Sequence, residues 1–326
     1  MEREIQISVF CLAFNHEKYI RQCLDGFVMQ KTDFAFEVLI HDDASTDGTA
    51  AIIREYEERY PEIIKPTYQS VNQYSQHIPI IRTHLLPRAK GRFLAWCEGD
   101  DYWTDPYKLQ KQYDFLSGHP DYALCVHRAV KHDLRRGGES FFPDISEDRD
   151  YSPEEIIRHG GGGIFSTNSI VIRREAYTTM PSCFDAVGFG DYQIFIYGAI
   201  CGKCRCLYDA MSVYNLGADN SWTMRTLSAA PTARIDGLRR VMHMLEAVDT
   251  FYNGKYHEAI SGTITDSLQP QEFDLLLSAE DYREAMEKRF RPQRRERKPL
   301  FRLYIFLRAY FPGVYAFLKK GLHGTE

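Results

Sequence analysis

The sequence lacks any uninterrupted apolar segment of about 18 residues, the length that a membrane-spanning helix requires. Its opening residues, MEREIQISVF, lack the long apolar core of a secretory signal peptide. No Gly-x-Gly-x-x-Gly pattern follows the first predicted strand, which excludes the usual nicotinamide-binding fingerprint. We therefore expect a cytoplasmic protein whose eight cysteines are thiols and not disulfides.

A large excess of charge of one sign is also absent. The 326 residues carry a net charge of −5, which gives the protein no bulk attraction to nucleic acid, so we expect no nucleic-acid partner. Hydrophobic residues make up 44% of the chain, a proportion typical of a globular core. The length suits one domain of about 200–250 residues with an extension, or two domains.

Short apolar segments alternate with amphipathic ones in the first part of the chain. Strands are predicted at Ile5–Cys11, Phe36–Asp43, Ile63–Tyr68 and Arg92–Trp96, which are rich in β-branched and aromatic residues. Helical periodicity predicts helices at Asn15–Gln30, Ile52–Tyr60, Ile80–Ala89 and Lys108–Leu116, and the weakly periodic Lys131–Ser152 is interpreted as a loop. This alternation indicates an α/β fold with a mainly parallel sheet.

Pairs of acidic residues follow two of the predicted strands. Asp42 and Asp43 end the second strand, and Asp100 and Asp101 come shortly after the fourth. Ligands of open α/β sheets collect at the carboxyl ends of the strands. Mg²⁺ and Mn²⁺ prefer oxygen ligands and often take one or two carboxylates together with substrate phosphates. Either pair alone could be solvated loop acids, but together on one edge they indicate a nucleotide-phosphate site.

Four segments of the chain resemble family 2 glycosyltransferases with the GT-A fold. In order, they are ISVFCLAFNHEKYIRQCLDGFVMQ, FEVLIHDDASTDGT, AKGRFLAWCEGDDYW and FGDYQIFIYGAICGKCRCL. The resemblance extends from Ile5 to about Trp222. It implies a Rossmann-like nucleotide-sugar-binding domain over residues 1–225, a helical extension over 226–290 and a basic, aromatic tail over 291–326.

The resemblance also implies how a nucleotide-sugar donor is bound. Phe14 and Asn15 would line the nucleobase pocket, and Asp43 would hydrogen-bond a uracil or thymine base. Asp42 would support that loop. Arg82 would face the base or the pyrophosphate, although Thr83 replaces the asparagine that often follows this arginine in the family.

Roles in the chemistry follow from the same resemblance. Asp100 would contact the ribose, and Asp101 would bind the Mn²⁺ or Mg²⁺ that bridges the diphosphate. Asp191 would be the general base. Tyr102 and Trp103 would shape an acceptor pocket, or else pack in the core.

The sequence departs from the family pattern beside two of its later motifs. Gly190 precedes Asp191 where a second acid is usual, and Asn215 follows Tyr214 where an arginine is frequent. The run Gly160–Gly163 either lets the backbone approach a ligand or forms a plain loop.

The predicted reaction is transfer of a sugar from a UDP-sugar to a hydroxyl of a lipid-linked or nascent surface glycan. One candidate base without a covalent nucleophile indicates inversion at the anomeric carbon. Two alternatives remain open, namely transfer to a polyprenyl phosphate and a non-catalytic, membrane-associated scaffold that keeps a transferase fold.

The tail combines basic and aromatic residues. Eleven lysines and arginines lie between Lys288 and Lys320, a density that could also suggest RNA binding. The aromatic and aliphatic content of Leu300–Leu318 fits a helix that lies in a membrane interface, on the inner face of the plasma membrane. The alternative is a terminal helix that docks on its own domain or on a dimer partner.

Overall fold

The computed structural model describes residues 4–160, 163–187, 190–219 and 221–323. Gly161 and Gly162, in the middle of the glycine run, lie outside the described residues. The chain divides into two compact units, Met1–Arg225 and Thr226–Glu326.

Among its described residues, the first unit contains ten strands and six complete helices, and it ends within a seventh helix. The strands are β1 (Ile5–Ala13), β2 (Ala35–Asp42), β3 (Ile64–Tyr68), β4 (Phe93–Trp96), β5 (Tyr102–Trp103), β6 (Tyr122–Asp133), β7 (Glu139–Phe142), β8 (Arg149–Tyr151), β9 (Val171–Arg173) and β10 (Lys203–Leu216). The helices are α1 (Ile20–Val28), α2 (Thr49–Arg59), α3 (Lys108–Gly118), α4 (Pro153–Arg158), α5 (Arg174–Thr178), α6 (Asp191–Cys201) and α7 (Trp222–Ser228).

All ten strands belong to one mixed sheet, whose main path runs β3-β2-β1-β4-β9-β6-β10-β5. The half from β3 to β4 is parallel, as is the pairing of β6 with β10. Strands β5, β7, β8 and β9 pair antiparallel with their neighbours. The predicted α/β fold class is confirmed, and the antiparallel strands are confined to the half beyond β4.

The register of the parallel half places the predicted acids at one edge. Ala13 pairs with Asp42 at the ends of β1 and β2, and Phe10 pairs with Trp96 at the end of β4. Since parallel strands share a direction, the segments after all three strands leave the sheet on the same side. Strands β1, β2 and β4 are buried almost throughout, which is typical of parallel strands covered on both faces.

The interpretation of Lys131–Ser152 as a loop is wrong in part. Strand β6 continues to Asp133, β7 pairs with β6, and β8 pairs with β10. Most side chains of β7 are exposed, so the segment carries no alternating apolar pattern from which a strand could be predicted. The predicted helix at Ile80–Ala89 is a π-helical turn, Ile81–Leu85, followed by a 3₁₀ turn, Leu86–Arg88.

The second unit is helical. Its helices are α8 (Pro231–Phe251), α9 (His257–Thr263), α10 (Gln269–Ser278), α11 (Tyr282–Ala285), α12 (Arg291–Glu296), α13 (Pro299–Tyr310) and α14 (Pro312–His323). Phe273, Phe290 and Ile305 lie in its core. The fully buried Glu272 is compensated by ion pairs with Arg239 and Arg289, as a buried charge requires. No helix among the residues described is long and apolar enough to span a bilayer.

Helix α3, which comes after the acidic segment in sequence, begins with a buried lysine. Lys108 is fully buried, its Nζ lies 4.1 Å from the centre of the Trp103 ring, and it donates to Gln112 Oε1 (2.8 Å). Burial lowers its pKa to about 7 from an ordinary value of 10.5. Between these two values the unfolded state binds more protons than the folded state, so raising the pH favours folding.

We predict that replacing Lys108 with methionine removes this pH-dependent contribution. The free energy of unfolding of the wild type should rise relative to that of Lys108→Met by about 2 kcal/mol between pH 7 and pH 9. Urea denaturation at both pH values measures the difference. Lys111→Met is the matched control, because Lys111 pairs with Asp105 and Asp209 and its pKa is raised, so its difference from wild type should stay constant. Equal pH dependence in all three proteins would contradict a neutral, buried Lys108.

Candidate active site

The loop after β1 is fastened to the loop after β2 through Asn15. The sequence predicted that Asn15 caps α1. This prediction is wrong, because that helix begins at Ile20. Its backbone has a left-handed φ of 56°, a conformation that asparagine tolerates better than most residues. Its Oδ1 accepts from Thr46 N–H (2.8 Å), and its own N–H donates to Ser45 Oγ (2.9 Å). Phe14, next to it, is partly buried at the same edge.

Asp43 is buried and organises a further loop. Its Oδ1 accepts from Gln73 N–H (2.6 Å), and its Oδ2 accepts from Tyr74 N–H (3.0 Å). His41 Nε2 lies 3.3 Å from Oδ1. A carboxylate offers about four acceptor positions, so Asp43 keeps capacity for a nucleobase donor. Its contact with the base stays a prediction.

Asp42 differs from Asp43 in the hydrogen bonding of its carboxylate. It is buried, and its Oδ1 has no hydrogen-bond partner among the described residues. Burial raises its pKa, and a hydrogen bond with Ser45 opposes that rise. A buried acceptor without a partner is costly, and a ligand donor would relieve that cost.

The turn Glu98–Asp101 approaches the β1 loop closely. A Cβ atom on Gly99 would lie 2.8 Å from His16 Nδ1, so a side chain at this position would push the two segments apart. His16 is buried, its N–H donates to Thr49 Oγ1 (2.8 Å), and burial lowers its pKa. The glycine between the acids therefore permits the close packing of the edge.

Asp101 is held on both of its oxygens by residues from distant parts of the chain. Asn215 N–H, on β10, donates to Oδ1 (2.9 Å), and Asn168 Nδ2 donates to Oδ2 (3.1 Å). The Asn215 side chain also donates to the Asp100 carbonyl (2.7 Å). These bonds, with the pairing of β5 on β10, fix the direction of both Asp101 oxygens.

The site carries more negative charge than its surroundings compensate. Burial and the charge of Asp100 raise the pKa of Asp101 well above its ordinary range. Burial, Asp100 and Asp191 raise the pKa of Glu98 to about 8. Such a cluster favours a bound cation, and each Asp101 oxygen keeps acceptor capacity after its one amide bond. No group of three or more His, Cys, Asp or Glu among the described residues could hold a metal by itself. Asp101 therefore fits Mg²⁺ or Mn²⁺ only in combination with donor phosphates and water.

Asp191 is the first residue of α6 and is partly buried. Thr167 Oγ1 donates to its Oδ2 (2.9 Å). Burial raises the pKa of Asp191, and the bond from Thr167 opposes the rise. Its influence on the pKa of Glu98 shows that it shares the electrostatic environment of the acidic turn.

Two further predicted site residues make contacts within the protein. Arg82 forms an ion pair with Asp185 (2.9 Å), and its role towards a donor stays a prediction. Trp103 is 2% exposed, packs edge-on against Phe27 and donates from Nε1 to the Asn168 carbonyl (2.9 Å). An acceptor could reach this ring only if its neighbours moved, whereas Tyr102 is partly exposed.

Sequence reasoning missed several residues that the structure brings to the acids. Thr167, Asn168 and Asn215 hold the carboxylates of Asp101 and Asp191, and only the polar string STNS before β9 hinted at the first two. The charge of Arg225 partly opposes the rise in the pKa of Glu98. The Arg225 guanidinium lies 4.9 Å from the centre of the Tyr74 ring, beside the loop that Asp43 holds.

Comparison with known proteins identifies the family. The profile described as Glycosyl transferase family 2 matches residues 8–178, just over half of the 326-residue chain. The chain belongs to glycosyltransferase family 2. A Mycobacterium tuberculosis protein described as uncharacterised is 34% identical to it over 267 residues, which is 79% of this chain and 72% of that protein. The protein is therefore a glycosyltransferase.

Two solved structures are similar to this glycosyltransferase in fold. S. aureus TarS 1–349 in complex with UDP-GlcNAc has a TM-score of 0.57 and 19% identity, and covers 88% of this chain and 83% of that one. The mannosyltransferase PcManGT from Pyrobaculum calidifontis, in complex with GDP-Man and Mn²⁺, has a TM-score of 0.53 and 16% identity, and covers 99% of this chain and 88% of that one. At these identities the likeness extends to the fold alone. It confirms the GT-A expectation.

Proposed function

We propose that this glycosyltransferase is metal-dependent and inverting. It transfers a sugar from a UDP-sugar to a hydroxyl of a lipid-linked or nascent surface glycan. The observation that carries the proposal is that Asp101 and the partly buried Asp191 both belong to the electrostatic environment of the acidic turn Glu98–Asp101. Asp101 would hold the cation, and Asp191 would accept the proton of the acceptor hydroxyl.

The donor end of the site is supported by three segments that meet at one edge of the sheet. Phe14 and Asn15 follow β1, Asp42 ends β2 and Asp43 follows it, and Asp100 lies after β4. This arrangement offers a base and a ribose carboxylate acceptors from adjacent loops at one edge of the sheet. Both solved structures compared above hold nucleotide-sugars, one with uridine and one with guanosine. We favour a UDP-sugar because the resemblance implies that Asp43 hydrogen-bonds a uracil or thymine base.

Departure of the diphosphate requires that its growing negative charge be stabilised. Bound Mn²⁺ or Mg²⁺ would act as a Lewis acid on the phosphate oxygens. Asp101 would hold the cation, with its oxygens directed by Asn168 and Asn215. Arg225 lies over the Tyr74 ring and its charge acts on Glu98, and we propose that it partly replaces the arginine missing at Asn215.

Attack by the acceptor hydroxyl requires a base. Asp191 accepts a hydrogen bond from Thr167 on Oδ2. A carboxylate offers about four acceptor positions, so Asp191 keeps capacity to accept the hydroxyl proton. A single positioned base contributes about 10²–10⁴-fold to the rate. Without a second carboxylate as nucleophile, the hydroxyl displaces the diphosphate directly, and the configuration at the anomeric carbon inverts.

The test of this proposal is a donor screen with Mn²⁺ that includes Asp101→Ala. Isothermal titration of UDP-, GDP- and dTDP-sugars should give the tightest binding for a UDP-sugar. In Asp101→Ala the dependence of that binding on Mn²⁺ should be lost, since the carboxylate that holds the cation is gone. Asp114→Ala, an exposed acid on α3, is the control and should bind as wild type does. Unchanged Mn²⁺ dependence in Asp101→Ala would refute the metal assignment.

For Asp191→Asn we expect unchanged donor affinity and a loss of transfer of about 10²–10⁴-fold, because the amide keeps the shape but cannot take a proton. In wild type, kcat/KM should fall with decreasing pH at a value above the ordinary carboxyl pKa of 3.8, since burial raises the pKa of Asp191 and only its anion acts as a base. Glu98→Gln should keep this acid limb. Near-normal turnover of Asp191→Asn would instead favour the alternative in which a polyprenyl phosphate accepts the sugar without a base.

We further propose that α13 and α14 attach the enzyme to the inner face of the plasma membrane. One side of α13 packs on its own unit through the buried Ile305, the hydrogen bond between Tyr304 and Tyr282 (2.8 Å) and the ion pair of Arg308 with Glu280 (2.7 Å). Docking of the tail on its own protein, the alternative from the sequence, therefore accounts for that side of α13 alone.

The opposite side of these helices is apolar and exposed. Nine of the eighteen large hydrophobic side chains that are exposed in the described chain lie between Leu300 and Leu318. Leu300, Leu303 and Phe317 are 82%, 52% and 78% exposed. An apolar surface flanked by lysine and arginine is complementary to anionic lipid, with about 1 kcal/mol contributed by each basic residue near the surface.

Replacing both Leu303 and Phe317 with serine should weaken binding to anionic vesicles by about tenfold or more, since burial of either side chain contributes about 1.5–3 kcal/mol. Vesicle co-sedimentation at low and high salt measures the effect. Leu227→Ser with Phe251→Ser is the matched control, because these residues are 54% and 55% exposed and lie in the same unit but outside the tail. Equal pelleting of both double variants would exclude the tail as the anchor.

A further inference from the structure

The 3₁₀ turn Thr167–Ser169 carries two consecutive side chains that bond to the two carboxylates of the proposed mechanism. Thr167 Oγ1 donates to Asp191 Oδ2 (2.9 Å), and Asn168 Nδ2 donates to Asp101 Oδ2 (3.1 Å).

Hydrogen bonds from two other elements hold the backbone of this turn. Gln112 Nε2 donates to the Ser169 carbonyl (2.8 Å), and Trp103 Nε1 donates to the Asn168 carbonyl (2.9 Å). Asn168 and Ser169 are fully buried. Each of these two carbonyls is therefore fixed by a donor from another element, and the turn cannot move without breaking buried hydrogen bonds.

The Asn168 amide can adopt only one orientation. Ser212 Oγ donates to its Oδ1 (2.6 Å), and its Nδ2 donates to the Val213 carbonyl (2.9 Å) as well as to Asp101. A flipped amide would direct its oxygen at the Val213 carbonyl and the Asp101 carboxylate, which are both acceptors. The donor is thus always presented to Asp101.

We propose that Thr167 and Asn168 are positioning residues that fix the base and the metal ligand relative to one another. Consecutive Cα atoms are about 3.8 Å apart, so a single rigid turn sets the separation of the two functional carboxylates. Asn168 leaves the remaining acceptor positions of Asp101 directed at a cation. Thr167 holds Asp191 so that its second oxygen faces the acceptor. This inference rests on the proposed function.

The metal arm of the test uses Asn168→Ala and Ser212→Ala, with free Mn²⁺ followed by electron paramagnetic resonance in the presence of UDP. Loss of a group that orients a metal ligand weakens metal affinity by about 10–100-fold, and we expect that loss in Asn168→Ala. Ser212→Ala leaves Asp101 untouched and removes one of the hydrogen bonds that hold the Asn168 amide, so a smaller loss of several-fold should follow. If Asn168→Ala does not fold, as judged by circular dichroism, Ser212→Ala decides. Wild-type Mn²⁺ affinity in the folded variant would overturn the assignment of Asn168.

The base arm compares Thr167→Val with Thr167→Ser. Valine keeps the shape of threonine without the hydroxyl, so kcat should fall by about tenfold or more while KM for the donor and Mn²⁺ affinity stay as in wild type. Serine keeps the hydroxyl and should restore kcat. Equal kcat for the valine and serine variants would overturn the role of Thr167. A wild-type protein that binds no nucleotide-sugar would refute the proposed function instead, whereas an active wild type with unaffected variants would refute this inference alone.

Discussion

The cost of removing carboxylates from water governs the arrangement of this enzyme. Asp101, Asp191 and Glu98 lie where burial raises the pKa of each. A carboxylate in that position keeps its charge only if donors or cations stand in for the lost water. The amides of Asn168 and Asn215 do so for Asp101. The charge that stays uncompensated raises the affinity of these carboxylates for a proton, and it would favour a bound cation.

Much of the donor half could be predicted because its signals are local. Strands β1, β2 and β4 are short and mostly apolar segments, and the acid pairs lie at the end of β2 and shortly after β4. Parallel pairing then brings them to one edge without further information. The start of α1 was predicted wrongly because Asn15 resembles a helix cap, while its side chain bonds to Thr46 of the neighbouring loop. Nothing in the local sequence distinguishes these two uses of an asparagine.

The hydrogen bonds that hold Asp101 could not be predicted, because they depend on strand pairing between residues far apart in the sequence. Asn215 lies 114 positions from Asp101, and its backbone donor is indistinguishable in sequence from any other. In the tail the difficulty is different. Apolar and aromatic residues occur all around α13, so periodicity does not show that Ile305 packs inward while Leu303 is exposed. Only the packed structure separates these two faces.

The distance along the chain between Asp101 and its partners has a consequence for synthesis on the ribosome. Strands β1 to β4 can pair while the chain is still growing, since domains fold as their segments emerge. A nascent chain that ends before β10 has the loops around Asp43, but it lacks the Asn215 donor and the Ser212 hydroxyl that orients Asn168. Asp101, the proposed metal ligand, is therefore the last of these acids to acquire its hydrogen-bond partners, and an incomplete translation product can form the loops around Asp43 without a complete acidic site.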